Sequence, residues 1–194
     1  MKNLLITTAM AAACVTPLAH AQASNFAGLG IGVGVVGADT TTEDITTLSR
    51  SATSSDSNAM LQLQYNLAVN DMFLVGFGGS ASLGDLKAGT FGTTQLKLRD
   101  AYSLYVAPGY AFNNSWMGYG KLAYLNANVH SSNGKNASFD SGYGVGIGLQ
   151  ALFGKNWFGQ AEYMFNQYDN RSVGPGETLK LKSNIYSLTA GYRF

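Results

Sequence analysis

The sequence predicts an all-β fold, an eight-stranded antiparallel up-and-down β-barrel that crosses a membrane, with short turns at one end and long loops at the other. Three observations predict it. Larger apolar residues alternate with glycine or polar residues in eight segments. Tight turns and long polar links alternate between these segments. Charged residues make up only 12% of the 194 residues, against about 25% in an ordinary soluble domain.

Composition excludes several other classes of protein. The mean hydropathy is close to zero, whereas the spans of a helical membrane protein would make it strongly positive. So few charges also exclude a disordered polyelectrolyte. The net charge is +1 and Lys and Arg do not cluster, so we expect no nucleic-acid partner.

The first 23 residues predict a cleaved export signal that is not part of the fold. One lysine precedes a short apolar run at 4–15, and small residues stand at the signal-peptidase positions of 19–21 and of 21–23. The run is shorter than the roughly 20 apolar residues of a membrane-spanning helix. We therefore expect a signal peptide at 1–23 and a barrel domain at 24–194, without a thiol because Cys14 leaves with the signal.

The eight predicted strands follow in order along the chain. The first alternates Gly with Leu, Ile and Val, so its larger side chains share one face. The segment at 116–127 has the weakest alternation, because aromatic residues stand on both of its faces. The predicted strands are 28–35, 59–69, 73–83, 101–112, 116–127, 142–153, 157–168 and 184–194.

The links between these strands alternate in length. Three short turns consist of Asn, Asp, Gly and Lys, most of which tolerate a left-handed backbone. These turns are at 70–71, 113–114 and 154–156. Four long links, rich in Ser, Thr, Asn and Asp, are predicted as loops at 38–58, 84–95, 128–140 and 168–179. Short turns on one side and long loops on the other are typical of barrels from the bacterial outer membrane.

Charged residues within the strands predict which face meets lipid. Arg or Lys facing the middle of a bilayer costs about 2 to 4 kcal/mol. Side chains alternate between the two faces of a strand. The charged residues at positions opposite to the aliphatic face are Lys97, Arg99, Lys121, Glu162 and Arg193. We expect them to point into the lumen. Because an unpaired buried charge is costly, a lumen charge network is predicted. Its members are Arg99, Lys121, Glu162 and Arg193.

The lumen of the predicted barrel is narrow. Eight strands enclose a space just wide enough for side chains to fill. Inward glycines on the first and sixth strands are expected to make room for larger inward residues, namely Tyr105, Tyr119, Phe158 and Met164. The lumen charges then form a structural plug; a gated conductance path is the alternative.

Aromatic residues predict where one membrane surface lies. They stand beside the short turns or at the last residue of the sequence, as side chains do at a headgroup boundary. This predicted belt comprises Phe73, Phe112, Trp116, Phe153, Trp157 and Phe194. The short turns therefore mark the periplasmic rim.

The last strand carries a family resemblance. Its pattern Tyr186-x-Leu188-x-Ala190-x-Tyr192-x-Phe194 resembles the C-terminal signal by which outer-membrane barrels are recognised for assembly. The chain looks like the small eight-stranded barrels related to the transmembrane domain of outer-membrane protein A and to opacity or adhesion-type surface proteins. This resemblance implies a monomer in the bacterial outer membrane. It also implies outer-membrane lipid, lipopolysaccharide and the barrel-assembly machinery as partners.

Motifs for catalysis or cofactors are weak in this sequence. His130-x-Ser132, with Asp140 nearby, is faintly similar to the His-x-Ser of lipid A deacylase barrels, but those enzymes carry it late in the chain. A solvated loop histidine is the simpler interpretation. The glycines at 32–37 match a dinucleotide fingerprint, but the next segment is polar and β-branched and does not open a helix. We expect no enzyme activity, no metal site and no cofactor.

Function is therefore assigned mainly to the loops. The first loop carries Asp39, Glu43, Asp44 and Asp56 against Arg50 alone. We expect an interaction or adhesion protein that displays polar loops to host or cell surfaces, or that supports envelope integrity. A narrow channel for small solutes or apolar compounds is the alternative, and a lipid hydrolase that uses His130 is a weaker one.

Overall fold

A computed structural model describes residues 23–44, 51–84, 86–91, 94–131, 136–169, 171–174 and 177–194, with side chains at 23–41, 53–84, 101–127, 141–169 and 180–194. In these residues ten strands follow a short 3-10 turn at Ala23–Phe26. The strands are β1 (Gly28–Asp44), β2 (Ser51–Ala68), β3 (Phe73–Ser82), β4 (Leu86–Phe91), β5 (Thr94–Ala111), β6 (Trp116–Ser131), β7 (Asn136–Phe153), β8 (Trp157–Tyr168), β9 (Arg171–Gly174) and β10 (Glu177–Arg193). No helix among the described residues is long and apolar enough to cross a membrane.

The strands form a closed barrel because the first and the last of them pair. β1 and β10 run antiparallel, from Gly30 opposite Arg193 to Asp44 opposite Leu179. The other neighbours in the wall are antiparallel as well. The sheet thus closes on itself, as backbone polar groups surrounded by hydrocarbon require.

The ten strands occupy eight positions in the wall. β3 and β4 both pair with β5, so they form one position, with β3 ending at Ser82 and β4 beginning at Leu86. β8 and β9 both pair with β10 in the same way, with β8 ending at Tyr168 and β9 beginning at Arg171. The predicted eight-stranded up-and-down barrel is therefore confirmed.

The predicted long loops are largely wrong, because the strands continue into them. β1 and β2 stay paired up to Glu43 opposite Ser51, so most of the link predicted at 38–58 is sheet. Strands also enter the links predicted at 84–95, 128–140 and 168–179. Beyond the membrane both faces of a strand meet water, so apolar alternation stops while the ladder of hydrogen bonds goes on. Polar composition therefore marks the membrane boundary and not the end of the strand.

The three predicted short turns are confirmed. In the first two, Asn70 and Asn113 accept backbone N–H bonds on Oδ1 from the residues two and three positions ahead, at 2.8 to 2.9 Å. In the third, Gly154 has a φ of 70°, a left-handed conformation that glycine adopts at little cost. All three turns lie at the end of the barrel that holds the chain's C-terminal residue.

Outward and inward side chains differ in kind along each strand. On β1 the outward residues Leu29, Ile31, Val33 and Val35 are 42 to 60% exposed. The buried side chains, such as Phe158 and Leu74, lie inside the barrel. The apolar exterior is the surface that meets lipid, and the core of the molecule is its lumen.

The exterior of β1 allows a matched test of membrane depth. Val33→Arg places a charge in the apolar band and should lower the free energy of unfolding by about 2 to 4 kcal/mol. Thr41→Arg, on the same face but beyond the band, should cost about 0 to 1 kcal/mol. Equilibrium unfolding by urea in phospholipid vesicles measures both values. Equal costs would contradict the assigned lipid face.

Candidate functional site: the lumen and its outer cavity

A buried ion pair lies across the middle of the lumen. Lys121 Nζ on β6 is 2.9 Å from both carboxylate oxygens of Glu162 on β8, and the two side chains are 2% and 8% exposed. Tyr119 Oη donates a hydrogen bond to Glu162 Oε2 at 3.1 Å, and Lys121 Nζ lies 3.8 Å from the centroid of the Tyr105 ring. These contacts compensate both charges for the loss of water.

Glycines on β7 allow this ion pair to form. β7 lies between β6 and β8 in the wall, and Lys121 is opposite Gly146 while Glu162 is opposite Gly148. A side chain at either glycine would collide with lumen residues: at Gly148 with the Tyr119 ring, and at Gly146 with Met164 Cγ 2.6 Å away. The predicted use of inward glycines to admit larger side chains is confirmed at these positions.

A cluster of glutamines lies on the periplasmic side of the ion pair. Gln62 Nε2 donates to Gln160 Oε1 at 2.8 Å, and Gln160 Nε2 donates to Gln64 Oε1 at 3.1 Å and to Gln150 Oε1 at 3.2 Å. All four glutamines are at most 8% exposed. This cluster was not predicted from the sequence. Its signal is Gln at inward positions of three strands.

Apolar side chains close the barrel beneath the glutamines. Phe158, Leu74 and Met117 are 1 to 2% exposed, and Phe26 of the N-terminal turn is fully buried with its carbonyl bonded to Asn66 Nδ2. Around the glutamines and Tyr119 the free space is about 10 Å³. One water molecule needs roughly 10 to 15 Å³, so this level of the lumen holds no continuous water path.

The predicted charge network is only partly assembled. Lys121 and Glu162 meet, but Arg193 does not join them. Its guanidinium donates to the carbonyls of Ala27 at 2.8 Å and Lys155 at 2.7 Å, at the periplasmic rim. These bonds tie the last strand to the residue before β1 on one side and to the turn between β7 and β8 on the other.

The alternation of side chains along β5 does not determine whether Arg99 points into the lumen. Between Arg99 and Tyr102, β5 contains one residue more than β6 does between Asn128 and Asn126. This bulge interrupts the period-two count that runs up from Tyr102. The side chain of Arg99 lies outside the described side chains.

A cavity of about 100 Å³ lies on the extracellular side of the ion pair; we refer to it as the upper cavity. Lys121 and Glu162 form its floor. Its walls are mostly apolar or hydroxylic, and they include Val36, Met60, Leu125, Met164, Asn166 and Ser183. The amide oxygen Oδ1 of Asn166 is buried and has no hydrogen-bond partner.

Two belts of aromatic side chains surround the barrel. The predicted residues Phe73, Phe112, Trp116, Phe153 and Trp157 all point outward and are 47 to 61% exposed. A second belt, which was not predicted from the sequence, lies nearer the extracellular end and is formed by Tyr102, Tyr124, Tyr143, Tyr163 and Tyr186. Trp116 and Tyr124 lie eight positions apart on β6, which is about 26 Å along a strand. With a strand tilt of about 35 to 45°, this spacing corresponds to about 19 to 22 Å along the barrel axis, a little less than the roughly 25 Å of a typical apolar band.

The C-terminal pattern lies on the outer surface. Tyr186, Leu188 and Phe194 are 52 to 70% exposed, and Tyr192 contacts the rings of Trp157 and Phe194 at 5.3 and 5.2 Å between centroids. These residues therefore form one continuous apolar strip on the outer surface.

His130 lies near the end of β6, opposite Lys97 and Asn136 in the ladder. Its side chain and that of Asp140 lie outside the described side chains, so the hydrolase hypothesis keeps only its sequence basis. In the described part of the chain, no three His, Cys, Asp or Glu residues form a group that could hold a metal ion.

Comparison with known proteins identifies the family. The family described as outer membrane protein beta-barrel domain matches residues 5–194. The chain belongs to this family. As a member of the outer membrane protein beta-barrel domain family, it is a protein of the bacterial outer membrane. No curated protein matches the sequence.

Two solved structures of Ail support the same fold. Ail, the attachment invasion locus protein of Yersinia pestis, in complex with the heparin analogue sucrose octasulfate, has 20% sequence identity and a TM-score of 0.55, over 87% of this chain and 99% of that chain. Ail alone gives 21% identity and a TM-score of 0.52 over the same shares. Neisserial surface protein A gives 18% identity and a TM-score of 0.49 over 84% of this chain and 97% of that one.

The ion pair gives a test of the plug. Glu162→Gln leaves the Lys121 ammonium buried without a counter-charge, which should lower the free energy of unfolding by about 3 to 5 kcal/mol. Adding Lys121→Met should recover most of that loss. Urea unfolding in vesicles compares the single and double variants. Equal stability of the two would show that the buried charge pair is not what holds this level of the lumen.

Proposed function

We propose that this protein is an interaction protein of the bacterial surface, in which a sealed barrel holds paired strands above the membrane for contact with a partner. One observation supports the proposal most directly. The lumen is filled on the periplasmic side of the ion pair, while the strands continue past the outer tyrosine belt. A filled lumen suits a rigid support better than it suits transport into the periplasm.

The first hairpin, formed by β1 and β2, extends well above the membrane. Its part beyond Val35 is the proposed display surface. On β1 the outward apolar row ends at Val35, and the ladder with β2 continues to Glu43. These eight further residues reach about 26 Å along the strand. Ser55 Oγ donates to Asp39 Oδ1 at 2.6 Å, and the hydroxyls of Thr41 and Thr53 lie 3.3 Å apart. Such cross-strand contacts stiffen a hairpin and reduce the entropy that it loses when a partner binds.

The charge of this hairpin suggests the chemistry of the partner. Four carboxylates and one arginine stand within 39–57, which gives a net charge of −3 (1 − 4). Such a surface attracts a basic peptide or protein face and steers its approach. Ail was solved with a sulfated polyanion. We expect the hairpin of the present chain to disfavour ligands of that sign.

A channel for apolar compounds is the second candidate function, and one observation favours it. Pairing between β3 and β5 stops at Ala81 opposite Tyr102 and resumes only with β4, at Leu86 opposite Leu98. Ala81 and Tyr102 also line the upper cavity. The ladder of the wall is therefore interrupted beside the cavity.

Binding by the hairpin is measured with the barrel in nanodiscs of neutral phosphatidylcholine. Polylysine and heparin are the immobilised probes. We expect salt-sensitive binding to polylysine and none to heparin. Replacing 42–52 by Asn-Gly, which closes a tight turn on the pair Thr41 and Thr53, together with Asp39→Asn and Asp56→Asn, removes all four carboxylates and should lower binding at least tenfold.

The variant Glu177→Gln, at the start of β10, serves as a control. It removes one carboxylate and should leave polylysine binding nearly unchanged. Undiminished binding by the shortened hairpin would contradict the proposed display surface.

Conductance tests whether the lumen is sealed, as the display function requires. We expect the wild type and Glu162→Gln to give no single-channel steps in planar bilayers with concentrated KCl, because the glutamines and Phe158 still fill the lumen after the substitution. Regular steps in either protein would favour the gated path.

A further inference from the structure

The outer part of β2 forms an edge of the sheet. The ladder between β2 and β3 runs up to Met60 opposite Ser82. One more backbone bond follows, from Leu83 N to Ala59 O at 2.9 Å. Beyond it, the described residues of β4 pair with β5 and form no ladder with β2. Within the described strands, the ladder of residues 51–58 is therefore with β1 only, and the other side of this segment is an open edge.

Two side chains cap the backbone along this edge. Asn58 Oδ1 accepts a hydrogen bond from Ala59 N at 2.8 Å. Asp56 Oδ1 accepts one from Ser57 N at 2.9 Å. Because Ala59 O accepts the bond from Leu83, the backbone polar groups of Ala59 face the side of β3. Residues two apart in a strand face the same side, so both capped N–H groups lie on the open edge.

The cap at Ala59 takes the place of a ladder bond. Residues that form a hydrogen-bonded pair in an antiparallel ladder exchange two bonds, so Ala59 N would be expected to donate to Leu83 O. It donates to Asn58 Oδ1 instead. Side chains of Asn and Asp compete with a ladder in this way because they reach a neighbouring backbone N–H. Asn58 thus ends the pairing with β3, and Asp56 repeats the cap two residues further out.

An open strand edge above the membrane can pair with a strand of another molecule. The β1 and β2 hairpin rises beyond the apolar band, so its edge is within reach of a neighbouring copy in the same membrane. In a two-fold symmetric pair, the same edge of each copy would meet in antiparallel orientation. Each incoming carbonyl would then need an N–H donor on β2.

We propose that Asp56 and Asn58 guard the open edge of β2 against pairing with the same edge of a second copy of this chain. Their caps occupy the N–H groups of Ser57 and Ala59, so a ladder could form at these residues only by breaking both bonds. Asp56 also brings like charges together in such a pair, which opposes it further. The inference goes beyond the proposed function, because it concerns contacts between copies and holds for any partner of the hairpin.

Removal of both caps tests the guard. Asp56→Leu with Asn58→Leu keeps side chains of similar size but removes both accepting oxygens. The matched control is Asp56→Asn with Asn58→Asp, which keeps an Oδ1 at each position and the same total charge. Sedimentation velocity of the purified protein in detergent micelles measures the oligomeric state. We expect the wild type and the control to sediment as monomers and the leucine variant to shift to a dimer.

A proline distinguishes edge pairing from hydrophobic contact between the new leucines. Proline has no N–H to donate and is tolerated in edge strands. Adding Ser57→Pro to the leucine variant should therefore restore the monomer. If the leucine variant fails to fold, Asp56→Ala with Asn58→Ala removes the same oxygens without adding bulk, and the same shift to a dimer is expected.

Each of three results would contradict the guard. A monomeric variant without caps would show that the caps do not prevent pairing. A dimer that persists after Ser57→Pro would arise from contacts other than a ladder at this edge. Self-association of the wild type or of the control would show that a capped edge is not protected.

Discussion

The whole structure depends on one constraint: backbone N–H and C=O groups in hydrocarbon must find partners within the protein. A sheet meets this condition only by closing, and β1 and β10 close it along fifteen paired positions from Gly30 to Asp44. Closure with eight strands then fixes a narrow interior. Above the membrane this constraint no longer applies, yet the strands continue as paired ladders.

The narrow lumen explains the composition of the interior. A core of this width must contain either small residues beside large ones or polar groups that satisfy each other. This chain uses both solutions. Gly146 and Gly148 leave room for Met164 and Tyr119. Lys121 and Glu162 satisfy each other across β7, and the glutamines bond among themselves. The interior is filled towards the periplasm and partly empty towards the outside.

Period-two alternation was sufficient to predict the strands, their lipid face and the short turns. It also predicted the ion pair, because Lys121 and Glu162 lie on uninterrupted stretches of β6 and β8 where parity holds. It failed for Arg99, since a bulge between Arg99 and Tyr102 adds one residue to β5. It failed for the ends of the strands, since polar residues on both faces remove the pattern without ending the ladder. The outer tyrosine belt and the upper cavity depend on the stagger between tilted strands, which no single segment encodes.

Accessibility measured residue by residue tests whether alternate side chains on β7 face lipid and the lumen. The barrel domain expected at 24–194 has no cysteine, so single cysteines carrying a nitroxide can be placed at each position from 143 to 150 on β7. The account predicts that oxygen dissolved in lipid reaches the labels at 143, 145, 147 and 149, and that neither oxygen nor a water-soluble nickel complex reaches 150. A nickel complex that reaches the odd positions, or collisions without a period of two, would contradict it.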